Sequence, residues 1–387
     1  MDAVILFEEL DFWQHMLPLS YTRPVGAFRT GIYTQAERWE KLLGLKAYYQ
    51  SKDYLHTKFH TNTSANALYV HSSVIADKNL ANVVKSLKLG EFIEYKGNII
   101  ARYGLDANNK VEYASEILQI NRPWDIFSLA DKTMRIDFEI ATAGKTSQKL
   151  SDTNILIGSE TDLFIEEGAV IEASVLNTKS GPIYIDKDAE IMESCSVRGP
   201  FYLGEHSQLK MGAKIYGAAV FGPQVKVGGE VNNAVIFGYS AKAHDGFLGN
   251  SVLGEWCNLG ADTNNSNLKN NYAQVKVWSY VKEGFVPTGL QFCGLIMGDH
   301  SKSAINTMFN TGTVVGVSAN IFGAGFPRNF VPSFSWGGPQ GMQEYQLKQA
   351  VETAKLVYAR RNMEFGQVEQ DIFAAIFDET SRFRSSL

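Results

Sequence analysis

Counted in sixes from Ile185, the chain returns to an apolar residue without a miss at Ile185, Ile191, Val197, Leu203, Leu209, Ile215, Phe221 and Val227. The phase breaks and resumes as Val235, Ala241, Phe247, Leu253 and Leu259. A third run, Met297, Ser303, Phe309, Val315 and Ile321, has one polar member, and an earlier one is Ile157, Leu163, Ala169 and Val175. Helices repeat at 3.6 residues and half-buried strands at two, so neither accounts for a period of six. The pattern predicts a hexapeptide parallel β-helix, in which each short strand sends one apolar side chain inward and the chain then turns a corner. Glycine follows the inward residue at Gly204, Gly222, Gly228, Gly254, Gly260 and Gly298, where it would supply the φ values of tight corners. A β-sandwich is the alternative, but its strands recur at 8–12 residues. Coils of this kind stack only on neighbours, so the ends need caps.

Two segments interrupt the period. Residues 228–234 (GGEVNNA) shift it by two. Residues 260–290 carry the asparagine-rich ADTNNSNLKNNY and then VKVWSYVKEGFVPTG. Excursions from a regular scaffold are where function concentrates; asparagine also suits left-handed corners.

Residues 1–145 show no repeat. Ala3–Phe7 reads as a buried strand, Gln35–Leu43 as a helix stopped by Gly44, Ala67–Val70 as a strand and Asn79–Leu87 as a helix. Phe92–Tyr95 and Ile99–Tyr103 alternate around Lys96-Gly97-Asn98, a hairpin signal. This mixture predicts a small α/β layer domain. Residues 326–342 (FPRNFVPSFSWGGPQGM) read as a linker. Glu344–Asn362 and the segment around Phe373–Phe377 read as helices that cap the solenoid.

Composition narrows the function classes. Hydrophobic residues make up 45% and charged residues 20% of 387, so a real core is available. The three cysteines, Cys195, Cys257 and Cys293, show no CxxC spacing, which argues against a disulfide framework or a thiolate zinc site. A net charge of −5 argues against a nucleic-acid partner. No apolar run reaches membrane-spanning length, and the opening MDAVILFEELDFW lacks a secretory n-region. The expectation is a cytoplasmic protein.

Two stretches resemble known families. Met16-Leu17-Pro18-Leu19-Ser20-Tyr21-Thr22-Arg23-Pro24 resembles the LPLT-x-x-RPKP start of sugar-1-phosphate nucleotidylyltransferases. Ala243-His244-Asp245-Gly246-Phe247-Leu248-Gly249-Asn250-Ser251-Val252-Leu253-Gly254, continued by Asn258-Leu259-Gly260-Ala261, resembles the acetyltransferase half of bifunctional N-acetylglucosamine-1-phosphate uridylyltransferases. The order of the two halves is the same, and the similarity is greatest to a short branch of sugar nucleotidyl transferases. The resemblance implies an α/β nucleotidylyltransferase-like domain at 1–148, a left-handed parallel β-helix at 149–330, and a C-terminal linker and helical cap at 331–387. It further implies a homotrimer, acetyl-CoA bound between subunits, and a sugar phosphate and nucleoside triphosphate with Mg²⁺ in the N-terminal domain.

Acyl transfer needs a base for the nucleophile's proton and donors for the tetrahedral oxyanion. On the resemblance, His244 is the catalytic base, Glu230 a supporting carboxylate and Asn267 an active-site amide. Asn232 stands where the family has a phosphate-binding lysine and Phe247 where it has a tyrosine, which points to an altered acceptor. In the N-terminal domain the glycine-rich phosphate loop is replaced by Glu8–His15, without glycine and with three carboxylates, and the signature lysine is Val25. Arg23 and Arg29 remain as phosphate ligands. The chemistry implied is nucleotidyl transfer to a sugar-1-phosphate joined to acetyl transfer. The alternatives are an acyltransferase with a vestigial N-terminal domain, or a non-catalytic relative that binds sugar nucleotides. A three-histidine metal site of the γ-carbonic anhydrase type would have to be built from His206, His244 and His300.

Overall fold

The computed structural model describes residues 1–385. The strands Val4–Phe7 (β1), Ala47–Gln50 (β2), Leu68–His71 (β3), Glu91–Tyr95 (β4), Asn98–Tyr103 (β5) and Asn109–Val111 (β6) form one sheet in the order β2-β1-β3-β5-β4-β6. β1 runs parallel to β2 and β3, and β5 antiparallel to β3 and β4. The predicted turn is tight because Lys96 and Gly97 both have positive φ, the geometry that matches strand twist in a hairpin. Leu10–His15 (α1) follows β1, Gln35–Leu43 (α2) precedes β2, and Lys78–Ser86 (α3) follows β3. α2 begins where predicted because Thr34 and Glu37 form a reciprocal capping box, and it ends at Gly44, whose φ is 71°. Trp39, Leu43, Leu80 and Val84 cover Val4, Leu6, Leu68 and Val70 on one face of the sheet.

The second half is a parallel β-helix. One wall stacks Leu163–Ile165, Ile183–Ile185, Phe201–Leu203, Ala219–Phe221, Glu230–Gly238 (β7), Phe247–Glu255 (β8), Ile296–Met297, Val314–Val315 and Phe330–Val331. A regular coil is three hexads, as the register from Ile183 to Phe201 to Ala219 shows. All of the Ile185–Val227 series is buried inside the prism, as are Met297, Phe309, Val315 and Ile321. A second inward residue per hexad fills the corners with smaller groups such as Ala189, Cys195, Ala213 and Val225.

Two details of the predicted pattern change. Val235 faces outward, and Ile236, Lys242 and Leu248 occupy the interior instead of Val235, Ala241 and Phe247. The coil between Val220 and Val235 is shortened near Gly228–Ala234, so the chain re-enters the interior one residue later. Likewise Leu176, not Val175, points inward in the first coils. The glycines after the inward residues are needed for a different reason than corner φ. A Cβ on Gly222 would collide with the backbone oxygen of Phe237, and one on Gly228 with that of Ala243, in the next coil. Left-handed φ falls two residues later, on the side chains His206, Gln224, Trp256, Asp262 and His300, at a strain that the stacked coils hold in place.

Of residues 260–290, Asn264–Asn265 still pairs parallel with Met308–Phe309 inside the coils; the chain leaves the stack after Ser266 and forms the antiparallel hairpin Lys276–Ser279 (β9) and Gly284–Pro287 (β10). Much of the expected linker is ordered pairing: Phe330–Val331 completes the last coil, and Ser335–Gly338 pairs antiparallel with Gly341–Glu344 across its end. Leu347–Ala359 (α4) lies within the first predicted helix, and Gln367–Glu379 (α5) includes Phe373–Phe377 of the second. The outward ridge Tyr184, Tyr202, Val220, Val235 and Val252 joins Trp13, Phe28 and Phe127 from the N-terminal region and Tyr358 and Phe373 from the helices in one core. The α/β region and the cap therefore clasp one wall of the β-helix and leave another open. Among the described residues no helix is long and apolar enough to cross a membrane.

Candidate functional site

The open wall is carried by the first halves of β7 and β8, where Glu230 lies opposite Phe247 and Asn232 opposite Gly249. The preceding coil brings Lys214 beside Glu230 and Tyr216 beside Asn232. The Tyr216 hydroxyl donates to Glu230 Oε1 at 2.6 Å. This bond to a carboxylate pushes the phenol up to about 12 and fixes Glu230 as an acceptor. Gly249 matters because a Cβ there would meet the Phe247 ring at 2.5 Å and Asn267 Nδ2 at 2.7 Å. The ring and the amide thus converge over bare backbone. Asn267 in turn donates to Asn250 Oδ1 at 2.8 Å. Four of the predicted residues, Glu230, Asn232, Phe247 and Asn267, therefore share one surface.

The asparagine run divides its work. Asn264 Oδ1 accepts from the Phe247 N–H and Asn265 Oδ1 from the Gly249 N–H, both at 2.8 Å. These side chains take over hydrogen bonds that a regular coil would supply, just where the excursion interrupts the stack. Asn267, half-buried, is the member that meets the bare backbone of Gly249.

His244 is exposed on the corner that leads into β8. That corner sits over the one before β7: a Cβ on Gly229 would lie 3.0 Å from the His244 carbonyl oxygen, and the Glu230 N–H donates to the Gly246 carbonyl at 3.2 Å. The His244 corner therefore adjoins the surface bearing Glu230. The corner is braced from within by Lys242, which is buried and whose Nζ donates to the His244 carbonyl at 2.6 Å. Burial lowers the Lys242 ammonium to about 8. Sequence spacing placed Ala241 inside and missed this lysine; a cation one residue from the expected inward position was its only trace.

The predicted phosphate ligands lie elsewhere. Arg23 is buried against the clasped wall, paired with Glu255 at 2.8 Å and with Asp299, its guanidinium over the Phe237 ring. Arg29 is also buried, donating to the Ile32 carbonyl, 3.4 Å from Glu37 and over Tyr202. Both arginines bind the N-terminal region to the β-helix. Val25 is fully buried, and its N–H donates to Glu8 at 2.9 Å. The remaining histidines are apart: His206 is exposed beside Asp188 and Glu205, and His300 is buried among Trp256, Tyr358 and Phe373.

In α/β sheets, ligands bind beyond the carboxyl ends of the strands. A cavity of about 430 Å³ opens there, between the ends of β1 and β2 and the strand β5, lined by Glu8, Glu9, Gln50, Ser51 and Arg102. Burial pushes the Glu8 carboxyl up to about 7, against hydrogen bonds from Ser51 and Val25. Glu9 accepts from His71 Nε2 at 2.9 Å, which lowers its pKa. Arg102, over the rings of Phe7 and Tyr69, is the cavity's cation. Nothing in the sequence reading singled it out. This donor set does not suit Mg²⁺, which favours ionised oxygen ligands: burial pushes one carboxyl toward its neutral form, the other is engaged by a histidine, and no group of three His, Cys, Asp or Glu among the described residues could hold a metal ion.

Residues 4–146 match the family model described as sugar nucleotidyl transferase. The resemblance read from Met16–Pro24 is thereby borne out, and the match spans the α/β region and ends before the β-helix. Among solved structures, the chain is similar to the UDP-N-acetylglucosamine acyltransferase of Francisella novicida, with 12% identity over 59% of this chain and 87% of that chain and a TM-score of 0.19. It is similar to the Arabidopsis UDP-N-acetylglucosamine acyltransferase at 12% identity over 55% and 80%, with a TM-score of 0.20. The search of curated proteins gave no match.

Proposed function

We propose that the protein is a transferase of nucleotide-sugar chemistry whose β-helix moves an acyl group from acyl-CoA, acetyl-CoA in the simplest case, to a sugar phosphate or nucleotide sugar. The observation that carries this reading is the gathering of Glu230, Asn232, Phe247 and Asn267 on the open wall, with His244 at its edge. In this reaction the acceptor's hydroxyl or amine attacks the thioester carbonyl while the His244 imidazole takes its proton. The tetrahedral intermediate collapses, the C–S bond breaks, and the thiolate leaves and regains that proton. Histidine is the side chain that most often serves as general base in such a transfer. The Asn232 and Asn267 amides offer neutral donors to the sugar, and Phe247 offers an apolar face. A single chain leaves the His244 corner open, so we infer a homotrimer in which a neighbour closes the cleft.

The test is thiol release from acetyl-CoA with a panel of sugar phosphates and nucleotide sugars. Turnover with at least one acceptor is expected. His244→Ala should reduce kcat by roughly 10²–10⁴-fold while acetyl-CoA still binds. An inert panel, or unchanged turnover in the variant, rules the reading out.

The family match over 4–146 favours a second reading, nucleotidyl transfer to a sugar-1-phosphate in the N-terminal region. Arg102 beside the Glu8–Ser51 cavity is then the phosphate ligand, in place of the occupied Arg23 and Arg29. Pyrophosphate release from a nucleoside triphosphate and a sugar-1-phosphate, abolished by Arg102→Ala, is the expected result.

A further inference from the structure

A cavity of about 760 Å³ shares no lining residue with the open wall. It lies between the β9–β10 hairpin, the last coils and the C-terminal end of the chain. Strand alternation explains its character. Lys276 lies opposite Pro287 and Trp278 opposite Phe285, so these four share one face of the hairpin. Val277 and Val286, on the other face, pack into the core. The face turned to the cavity thus pairs aromatic rings with a lysine.

Trp278 stacks on Phe330 with ring centroids 4.2 Å apart and planes 9° from parallel, and meets Phe285 edge-on at 5.6 Å. Its indole N–H is enclosed and finds no acceptor among the described residues, which leaves a donor unsatisfied unless something else accepts from it. Around these rings stand Lys269, Lys276 and Arg328, none in an ion pair among the described residues, and Arg382, paired with Glu283 at 3.1 Å. In a chain of net charge −5, these four cations beside the single carboxylate Glu283 are a local excess of positive charge.

Rings and uncompensated cations together select a ligand that is planar at one end and polyanionic at the other. Inorganic phosphate would leave the aromatic wall unused, and an apolar ligand would bury the cations without partners. We propose that this groove binds a nucleoside diphosphate, its base against the Trp278–Phe285 wall and its phosphates on Lys269, Lys276 and Arg328. A base stacks favourably on an aromatic side chain, and Phe330 holds the Trp278 ring in place. Guanidinium and ammonium groups supply charge-assisted bonds to phosphate. The inference does not depend on acyl transfer at the open wall.

The experiment is calorimetric titration of the full chain with UDP and with ADP. Saturable binding of at least one is expected. Lys276→Glu and Arg328→Glu, both at exposed positions, should each weaken it about tenfold or more. His244→Ala should leave it unchanged, which separates this site from the open wall. Absence of binding at millimolar nucleotide overturns the proposal. So does affinity retained in both charge variants, or equal affinity for uridine or pyrophosphate alone.

Discussion

Lys242 occupies a position that the adjoining coils give to Val227 and Leu259. Its ammonium is held by a backbone carbonyl without a salt bridge among the described residues. Burial disfavours the charged form and lowers the group to about 8, against 10.5 unperturbed. Between these values the unfolded chain holds more protons than the folded one, so native stability rises with pH across that window. The gain is about 3 kcal/mol across that window. Lys242→Met lacks this dependence. Its stability relative to the native chain should be most favourable near pH 7 and fall by pH 10, as thermal melts at the two values would show. A pH-independent difference means that the ammonium is not desolvated in solution. Glu8 has the opposite sign. Its raised carboxyl costs nothing below about pH 4.5 and progressively more as pH rises toward 7, so Glu8→Gln should gain stability relative to the native chain at pH 8 compared with pH 5, by about 2 kcal/mol. At this scale, His244 and Glu230 were legible in the sequence only through resemblance. Lys242, Tyr216 and Arg102 were not, because one-dimensional spacing does not show which coil a side chain will meet.

Among the elements, the hexad was readable because a prism with so little interior accepts only apolar side chains at a fixed interval, and the same interval recurs along most of the coils. The phase slipped where that regularity fails, at the shortened coil near Gly228, since a shift of one residue moves side chains to the other face of a strand. The glycines were found but misattributed, because sequence records a missing side chain and not the reason for it. That reason separates two kinds of substitution. Gly222 has the Phe237 backbone oxygen where its Cβ would stand, and a backbone atom cannot swing aside. Gly212 has positive φ of 72° but open space around it. Gly222→Ala should therefore cost about 3 kcal/mol or more by overpacking, and Gly212→Ala about 1 kcal/mol from backbone strain alone. Urea midpoints that reverse this order would show that the coils are spaced more loosely than described. Gly249→Ala belongs to neither class. Its Cβ presses on the Phe247 ring and the Asn267 amide, so acyl transfer should fall by about tenfold while the melting temperature changes little.

The whole molecule turns on how the N-terminal region is fastened to the β-helix, and Arg23 lies at that junction. Its guanidinium reaches Glu255 and Asp299 on the clasped wall, beneath Trp256, Tyr358 and the packed α4–α5 cap. The motif around it was legible; its partners, more than 200 positions away in sequence, were not. A buried pair with one partner removed leaves an uncompensated charge, so Arg23→Leu should destabilise the chain by about 3–5 kcal/mol. Asp299 is already raised by burial, with Arg23 opposing the rise. Without the arginine its folded pKa climbs further above the unfolded value. The folded variant then binds a proton that the unfolded chain releases. The deficit should accordingly be largest near pH 8 and shrink as pH falls toward 5, and Arg23→Leu combined with Asp299→Asn should recover part of it. A phosphate-binding arginine predicts the reverse: weaker nucleotide binding, stability unchanged, and no rescue by Asn. Chemical denaturation of the two variants at both pH values, beside a nucleotide titration of Arg23→Leu, decides between a structural rivet and a substrate ligand.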